Sequence, residues 1–436
     1  MFILVIATCL LLLMVLIAWV KLHPFLAFIV VALLAGYWLG LPLNLLIGSV
    51  KTGIGQLMGD LLLTIGLGAM LGKLIAETGA AQQIANTLIQ FFGEKNMQWA
   101  MVLTGFIVGI PLFYNVGFVL LVPLVFSITY RTKLPVIYTA IPMLASLSVT
   151  HGFIPPHPSP VAIAAQLNAN NGTVLLYGLL IAIPTVIIAG PFFARTLKKI
   201  ECNPLPIFQP KIISNEFLPG KANSFISALL PVFLMLFFAI LTLLINSNSN
   251  SSIKFWSDPS IILLLSLLIT TYTLGIANKH AIKTIMQFFG EAIQEISPIL
   301  LIIAGAGALK QVLSDSGISK EIGQSIQHLS IHPLVLGWLI AAIIRVCVGS
   351  ATVAALTAAG IMAPLLLSVQ FNPNLMVLAI GAGSLLFSHI NDSGFWMFKS
   401  YFNLSVKDTL RTWSVMETII SIVGLLGVLA LNSIIS

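Results

Sequence analysis

Apolar segments of about 20 residues recur along most of the chain, and they limit its fold more than any other feature. Such segments lie at about 2–20, 24–41, 60–77, 174–195, 225–245, 258–277, 296–313 and 412–434. An α-helix needs about 20 mostly apolar residues to cross the hydrocarbon core of a bilayer. The pattern therefore predicts an all-α, polytopic membrane protein.

The composition agrees with this prediction and excludes the soluble classes. Only 8% of the 436 residues are charged and 58% are hydrophobic, whereas a soluble globular chain carries roughly 25% charged residues. Too few polar groups are present to cover a water-exposed surface, which excludes a soluble enzyme and a nucleic-acid-binding protein. The three cysteines are widely spaced and odd in number, so we expect neither a disulfide framework nor a zinc site, and no cofactor.

Two apolar stretches, 98–130 and 333–369, are too long for one span and too short for two. Each is interrupted near its middle by a polar or small-residue tip, at 113–117 and 349–352 respectively. A re-entrant helical hairpin, which enters and leaves the membrane on the same side, accounts for both the length and the interruption.

Two further spans, 134–150 and 374–388, end in polar breaks at 151–160 and 389–394. The first break contains four prolines within six residues, which cannot remain helical. Irregular backbone at membrane depth is tolerated only where protein or a water-filled cavity satisfies its polar groups. We therefore expect the two breaks and the two hairpin tips to meet at a cavity.

The irregular segments come in pairs, which predicts an internal duplication. The glycine-rich run at 66–69 recurs at 305–308, and His151 at the first break matches His389 at the second. The predicted units are a first repeat at 1–196, a linker at 197–224 and a second repeat at 225–436. Each repeat has five spans plus one hairpin, and an odd number of spans makes the second repeat inverted.

The placement of Lys and Arg predicts the orientation of these repeats. With the N-terminus outside, most of the 20 Lys and Arg residues fall on the inner side, including those of the 197–224 linker. Cytoplasmic loops carry such an excess of basic residues. The expectation is an N-out, C-out protein with a cytoplasmic linker, and the net charge of +7 then needs no anionic partner.

Inverted repeats with hairpins and broken helices are typical of secondary transporters, with the substrate site near the membrane midplane. Half-helix N-termini favour an anion there, and hydroxyl and amide side chains suit a small polyhydroxylated one. The candidate substrate-binding residues are the polar side chains of the tips and breaks, namely Tyr114, Asn115, His151, His157, Ser159, Ser350, Thr352, Asn391 and Ser393.

Energy for transport must come from an ion gradient, or transport is passive, because the chain has no nucleotide-binding loop. Ionisable residues within the membrane are the default coupling candidates. Asp392 is the first of these, although it could simply cap the helix after the break. His389 and Arg345 are further candidates, and Glu417, early in the last span, is a weaker one.

The sequence at these sites resembles that of the gluconate permease (gluconate:proton symporter) family. The resemblance is carried by residues 116–120 (VGFVL), 150–158 (THGFIPPHP), 387–396 (FSHINDSGFW) and 412–418 (TWSVMET). It implies proton-coupled uptake of gluconate or a related sugar acid across the bacterial inner membrane. The family is similar to the wider ion-transporter group, which implies an elevator-type movement of a hairpin-bearing domain, and homodimers are common in that group.

Three alternatives stay open at this point. One is a symporter for D-serine or another small amino acid or carboxylate, with Asp392 binding the ammonium group. Another is sodium in place of protons as the coupling ion. The most distant is an intramembrane enzyme that uses His151, His389 and Asp392, which the absence of hydrolase motifs and the duplication disfavour. The expected partners are therefore a small anion, a proton and the lipid bilayer.

Overall fold

The computed structural model describes residues 8–9, 11–200, 202, 218–245, 255–316, 331–364, 371–390 and 392–435. Within these ranges the chain is helical and has no strand. Six helices there are long and apolar enough to cross a membrane, and a seventh candidate, Leu43–Glu77, is bent. The prediction of an all-α polytopic membrane protein is confirmed.

The first half of the chain begins with a helical segment that ends in a π-helix, Val15–Trp19. The helices that follow are α1 (Pro24–Trp38), α2 (Leu43–Glu77), α3 (Ala80–Phe92), α4 (Met97–Gly109), α5 (Tyr114–Thr132), α6 (Val136–Phe153), α7 (Pro158–Gln166) and α8 (Asn171–Thr196). We call α4 and α5 the first hairpin, and α6 and α7 the first broken helix.

The second half has the same order of long helices, hairpin and broken helix. Its helices are α9 (Lys221–Ile245), α10 (Pro259–Asn278), α11 (Ile282–Asp315), α12 (Pro333–Val348), α13 (Ala351–Met362), α14 (Pro373–Gly383), α15 (Ser393–Tyr401) and α16 (Val406–Ile435). We call α12 and α13 the second hairpin, and α14 and α15 the second broken helix. Most of the predicted linker, 197–224, lies outside the described residues.

Helices α2 and α11 are longer than the apolar segments within them. The sequence predicts interfacial helices over the amphipathic stretches 44–58 and 279–295. The first joins the following span at a bend of 41° between Leu43–Gly59 and Leu61–Glu77, whereas the second continues into the span within α11. Helix α2 contains no proline, so its bend does not come from one, whereas α11 contains Pro298. At 35 residues α2 is roughly 52 Å long, more than a bilayer core needs.

Glycines let α2 and α11 cross closely. A methyl group on Gly53 would lie 2.3 Å from the Gly307 carbonyl oxygen, and one on Gly307 would lie 2.5 Å from the Gly53 oxygen. Small residues at such crossings allow backbones to approach within a membrane. The pair is also joined by Lys73 on α2, whose ammonium lies 2.8 Å from Glu295 and 3.2 Å from Glu291 on α11.

The turns of the two hairpins follow from local sequence. Phe113 precedes α5, and Pro111 lies in the turn before it. In the second hairpin Gly349 takes a φ of +78°, which costs glycine little because it has no Cβ. Ser350 then accepts a hydrogen bond from the Val353 N–H and caps α13.

The two broken helices form the centre of the molecule. Helix α6 is almost entirely buried, and so is α14. They touch at Gly152 and Gly381, where a methyl group on Gly381 would lie 2.3 Å from the Gly152 oxygen. Protein therefore surrounds the irregular backbone at the breaks, as burial of its polar groups in a membrane requires.

Candidate functional site

A cavity of about 240 Å³ lies where the two hairpin tips meet the broken helices. A single water needs roughly 10–15 Å³ of such volume, so the cavity is large enough for a small solute. The start of α16 and one face of α11 complete its wall. The lining residues are Phe113, Tyr114, Asn115, Ser148, His151, Ile299, Ile302, Arg345, Gly349, Ser350, Ala351, Thr352, Leu385, Asp392, Ser393, Gly394, Trp413 and Glu417.

Three helices begin at this cavity. Helix α5 begins at Tyr114, α13 at Ala351 and α15 at Ser393, and all three residues line the cavity wall. The first N–H groups of a helix have no partner within it, and the helix dipole places partial positive charge at that end. Three N-termini around one cavity favour an anionic occupant.

An ion pair crosses from the second hairpin to the second break. The Arg345 guanidinium near the end of α12 donates to the carboxylate of Asp392, and both residues are buried. Asp392 also accepts from the Ser388 hydroxyl and, at 2.9 Å, from the Gly394 N–H, so that it caps α15. Asp392 is therefore a helix cap, as one interpretation of the sequence expected, and part of a buried charged pair, while its role in coupling stays a prediction.

Aromatic rings form another part of the wall. The Trp413 indole N–H donates to the Ser388 hydroxyl at 2.7 Å, and its ring centroid lies 5.8 Å from that of Tyr114. Tyr114 in turn lies 6.2 Å from the His151 ring. A π-helical turn, Leu410–Ser414, carries Trp413, and such turns are frequent at functional sites because they rotate the residues that follow.

Four buried polar atoms of the cavity wall lack a hydrogen-bond partner among the described residues. They are the Tyr114 hydroxyl, His151 Nδ1, Arg345 Nε and one carboxylate oxygen of Glu417. Buried polar groups are almost always hydrogen-bonded, so an exception calls for an explanation such as a ligand or an ordered water. The concentration of four such atoms at one cavity supports its assignment as a ligand site.

Most of the site residues predicted from the sequence line this cavity. They are Tyr114, Asn115, His151, Ser350, Thr352 and Ser393, together with Arg345 and Asp392. Asn391 lies outside the described residues. His157, Ser159 and His389 are not in the wall, and their assignment to substrate binding or coupling stays a prediction.

Two of these three residues contact the backbone of a hairpin instead. His157 is buried, and its Nε2 lies 2.6 Å from the carbonyl oxygen of Gly109 at the end of α4. His389 Nε2 lies 2.9 Å from the carbonyl oxygen of Val346 near the end of α12. The last carbonyls of a helix have no partner within it, so each histidine satisfies one and joins a break to its hairpin.

The structure adds wall residues that the sequence did not single out. Trp413, Ser148 and two isoleucines of α11, Ile299 and Ile302, line the cavity. Glu417 was only a weak coupling candidate, yet it is 1% exposed and also lines the wall. A carboxylate within an apolar span was the available signal for it. Within the described ranges, no group of His, Cys, Asp and Glu could hold a metal ion.

Comparison with known proteins gives one consistent result. The profile of the family described as GntP family permease matches residues 1–435. The chain is 47% identical to the Gnt-II system L-idonate transporter of Escherichia coli K12 over 433 residues, which is 99% of either chain. It is 47% identical to a high-affinity gluconate transporter of the same organism over 419 residues, 95% of either chain.

A further relative and one solved structure extend this result. A gluconate permease of Bacillus subtilis is 44% identical over 444 residues and 99% of each chain. The crystal structure of the Alcanivorax borkumensis YdaH transporter superposes with a TM-score of 0.68, covering 94% of this chain and 98% of that one. At 16% identity the second similarity concerns the fold alone.

Proposed function

Because this chain belongs to the GntP permease family, we propose that it takes up gluconate or a closely related sugar acid together with protons. It is a multi-pass membrane transporter and not an enzyme. The names of relatives at 44–47% identity support the substrate class, since they are transporters of gluconate or L-idonate. The D-serine and sodium alternatives are outcomes of the test below.

The substrate proposal rests on one observation, the unpaired Nε of the Arg345 guanidinium, a residue that lines the cavity. Its guanidinium donates to Asp392 on one side, while Nε has no partner among the described residues. A guanidinium offers five N–H donors in a plane that matches a carboxylate. The carboxylate of a sugar acid would take the unpaired edge, close to the helix N-termini of α5, α13 and α15.

The remaining wall groups suit the hydroxyls of such a substrate. Ser350, Thr352 and Ser393 offer hydroxyls, and Asn115 offers an amide. Hydroxyl and amide groups both donate and accept hydrogen bonds, as a polyol chain requires.

The repeated order of elements supports an inverted-repeat transporter with an elevator-type movement. Each half has a long helix (α2 or α11), then a hairpin, a broken helix and a final span. We propose that the hairpins and broken helices carry the substrate past α2 and α11, in a bacterial inner membrane. An N-out, C-out orientation and a homodimer belong to the same proposal and rest on the charge distribution and the family resemblance.

Counterflow in proteoliposomes tests the substrate. Labelled gluconate should exchange, unlabelled gluconate and L-idonate should compete, and D-serine should not. Arg345→Gln should weaken exchange at least tenfold, whereas Arg411→Gln, an exposed arginine outside the cavity, should leave it unchanged. Competition by D-serine but not by aldonates, or an equal effect of the two variants, would refute the proposal.

The coupling ion is tested separately in the same vesicles. Uptake should rise with an imposed pH gradient, acidic outside, and should not respond to a sodium gradient at constant pH. A response to sodium alone would replace the proton in the proposal and leave the substrate assignment intact.

A further inference from the structure

Glu417 is a buried carboxyl group that the proposed substrate contacts do not use. It follows the π-helical turn Leu410–Ser414 in α16, lines the cavity and is 1% exposed. The Ser148 hydroxyl on α6 is hydrogen-bonded to it, while its Oε1 has no partner among the described residues. A carboxyl group this deep in a membrane protein is costly to keep and marks an ion or proton pathway by default.

Asp392, the coupling residue first suggested by the sequence, is in a different situation. It accepts hydrogen bonds from Arg345, Ser388 and Gly394, two of which come from outside its own turn. Its carboxylate is therefore already engaged in a helix cap and in an ion pair, whereas Glu417 keeps an oxygen without a partner among the described residues.

The charges that face Glu417 come from the neighbouring elements of the wall. Arg345 on α12 lines the same cavity and carries a positive charge, but Asp392 at the start of α15 balances it. Tyr114 on α5 and His151 on α6 are the other titratable groups that face the same space. Glu417 thus has no counter-ion of its own among the described residues that line the cavity.

We propose that Glu417 carries the transported proton. This inference rests on the proposed function. Glu417 takes up a proton on the side of higher proton concentration as the anion enters, and releases it on the other side after the anion has left. One proton then moves with each monoanion, and the only bond that forms and breaks is the O–H bond of the Glu417 carboxyl group.

The coupling follows from the shared cavity. An ionised Glu417 repels the carboxylate of a sugar acid bound at Arg345, because both lie in a space where few mobile ions screen them. Protonation removes that repulsion, so substrate and proton each increase the affinity of the site for the other. Such a link between two ligands must be reciprocal.

The test compares Glu417→Gln with Glu94→Gln, an exposed glutamate outside the cavity, in proteoliposomes. Glutamine mimics the protonated carboxyl group. We expect Glu417→Gln to retain measurable gluconate counterflow, which needs no net proton movement, but to lose accumulation driven by a pH gradient. Glu94→Gln should keep both.

The pH dependence of half-saturation in counterflow gives a second readout. In the wild type, gluconate affinity should fall by up to about tenfold per pH unit once Glu417 is ionised, and in Glu417→Gln it should stay flat. Glu417→Asp, which keeps a titratable group, should retain accumulation with a shifted pH profile. This variant covers the case in which Glu417→Gln does not fold.

The results that would refute this inference differ from those that would refute the proposed function. Accumulation by Glu417→Gln driven by the pH gradient, or a wild-type pH profile in that variant, would overturn the inference. The inference would also be overturned if Asp392→Asn exchanged gluconate without accumulating it while Glu417→Gln stayed fully coupled. A wild-type protein that exchanges no aldonate would instead overturn the proposed function.

Discussion

Replacement of Asp392 by Asn tests the buried ion pair at the centre of the site. The side chains of Arg345 and Asp392 are 4% and 11% exposed, and Asn cannot balance the guanidinium charge. Removing one partner of a buried pair costs about 3–5 kcal/mol, because the other charge is left uncompensated. The cavity beside Arg345 can admit water, so we expect the lower end of that range, about 3 kcal/mol.

The double variant Arg345→Gln/Asp392→Asn should recover much of this loss. It removes both charges and keeps hydrogen-bonding groups at both positions. Only the hydrogen-bond geometry between them becomes poorer, which costs about 1 kcal/mol of stability. The double variant should therefore be more stable than Asp392→Asn by about 2 kcal/mol. A second substitution that restores stability is the signature of coupled neighbours.

Unfolding of the purified protein in mixed detergent micelles, followed by circular dichroism, gives these differences in free energy. Asp315→Asn is a matched control, because Asp315 is exposed and its hydrogen bond from Gln311 can persist. If Asp392→Asn is as stable as this control, or if the double variant is less stable than Asp392→Asn, the ion pair does not hold the second hairpin to the second break.

Two glycine predictions follow from the backbone. Gly53→Ala should destabilise the protein by about 1–3 kcal/mol in the same unfolding assay, because its methyl group would lie 2.3 Å from a carbonyl oxygen of α11. Gly55→Ala, with open space around it, is the control and should be neutral or stabilising. Gly349→Ala should cost about 1–2 kcal/mol at a φ of +78° and weaken gluconate counterflow, whereas Gly290→Ala should do neither. Equal stability of the two variants in either pair would contradict the respective prediction.

The hairpins and breaks could be predicted because their signals are local. An apolar run of unsuitable length with a small or polar tip indicates a hairpin, and clustered prolines indicate a break. The second tip shows this directly, since Gly349 takes the turn conformation and Ser350 caps the next helix. By contrast, the continuity of α11 could not be predicted, because an amphipathic stretch looks alike in an interfacial helix and in an extended span.

Which polar residue faces the cavity could not be predicted from sequence either. His151 and His157 lie in the same break, yet His151 lines the cavity and His157 contacts the Gly109 carbonyl oxygen. The rotation of the chain at the break decides between them, and composition does not encode it. Glu417 was undervalued for a similar reason, because the π-helical turn before it sets the direction in which it points.

The charge balance of the site connects the two proposals. Arg345 and Asp392 compensate each other, so the net charge of the cavity is set by Glu417 and by the substrate. A monoanion alone adds a second negative charge, which is costly in a low-dielectric site, and a proton on Glu417 removes one. Together they leave the charge as it was in the empty carrier. The hairpin-bearing domain then meets the same electrostatic barrier when empty and when fully loaded, while the form loaded with the anion alone meets a higher one. A fixed ion pair beside one unpaired carboxyl group is therefore sufficient to make movement of the bound anion depend on the proton.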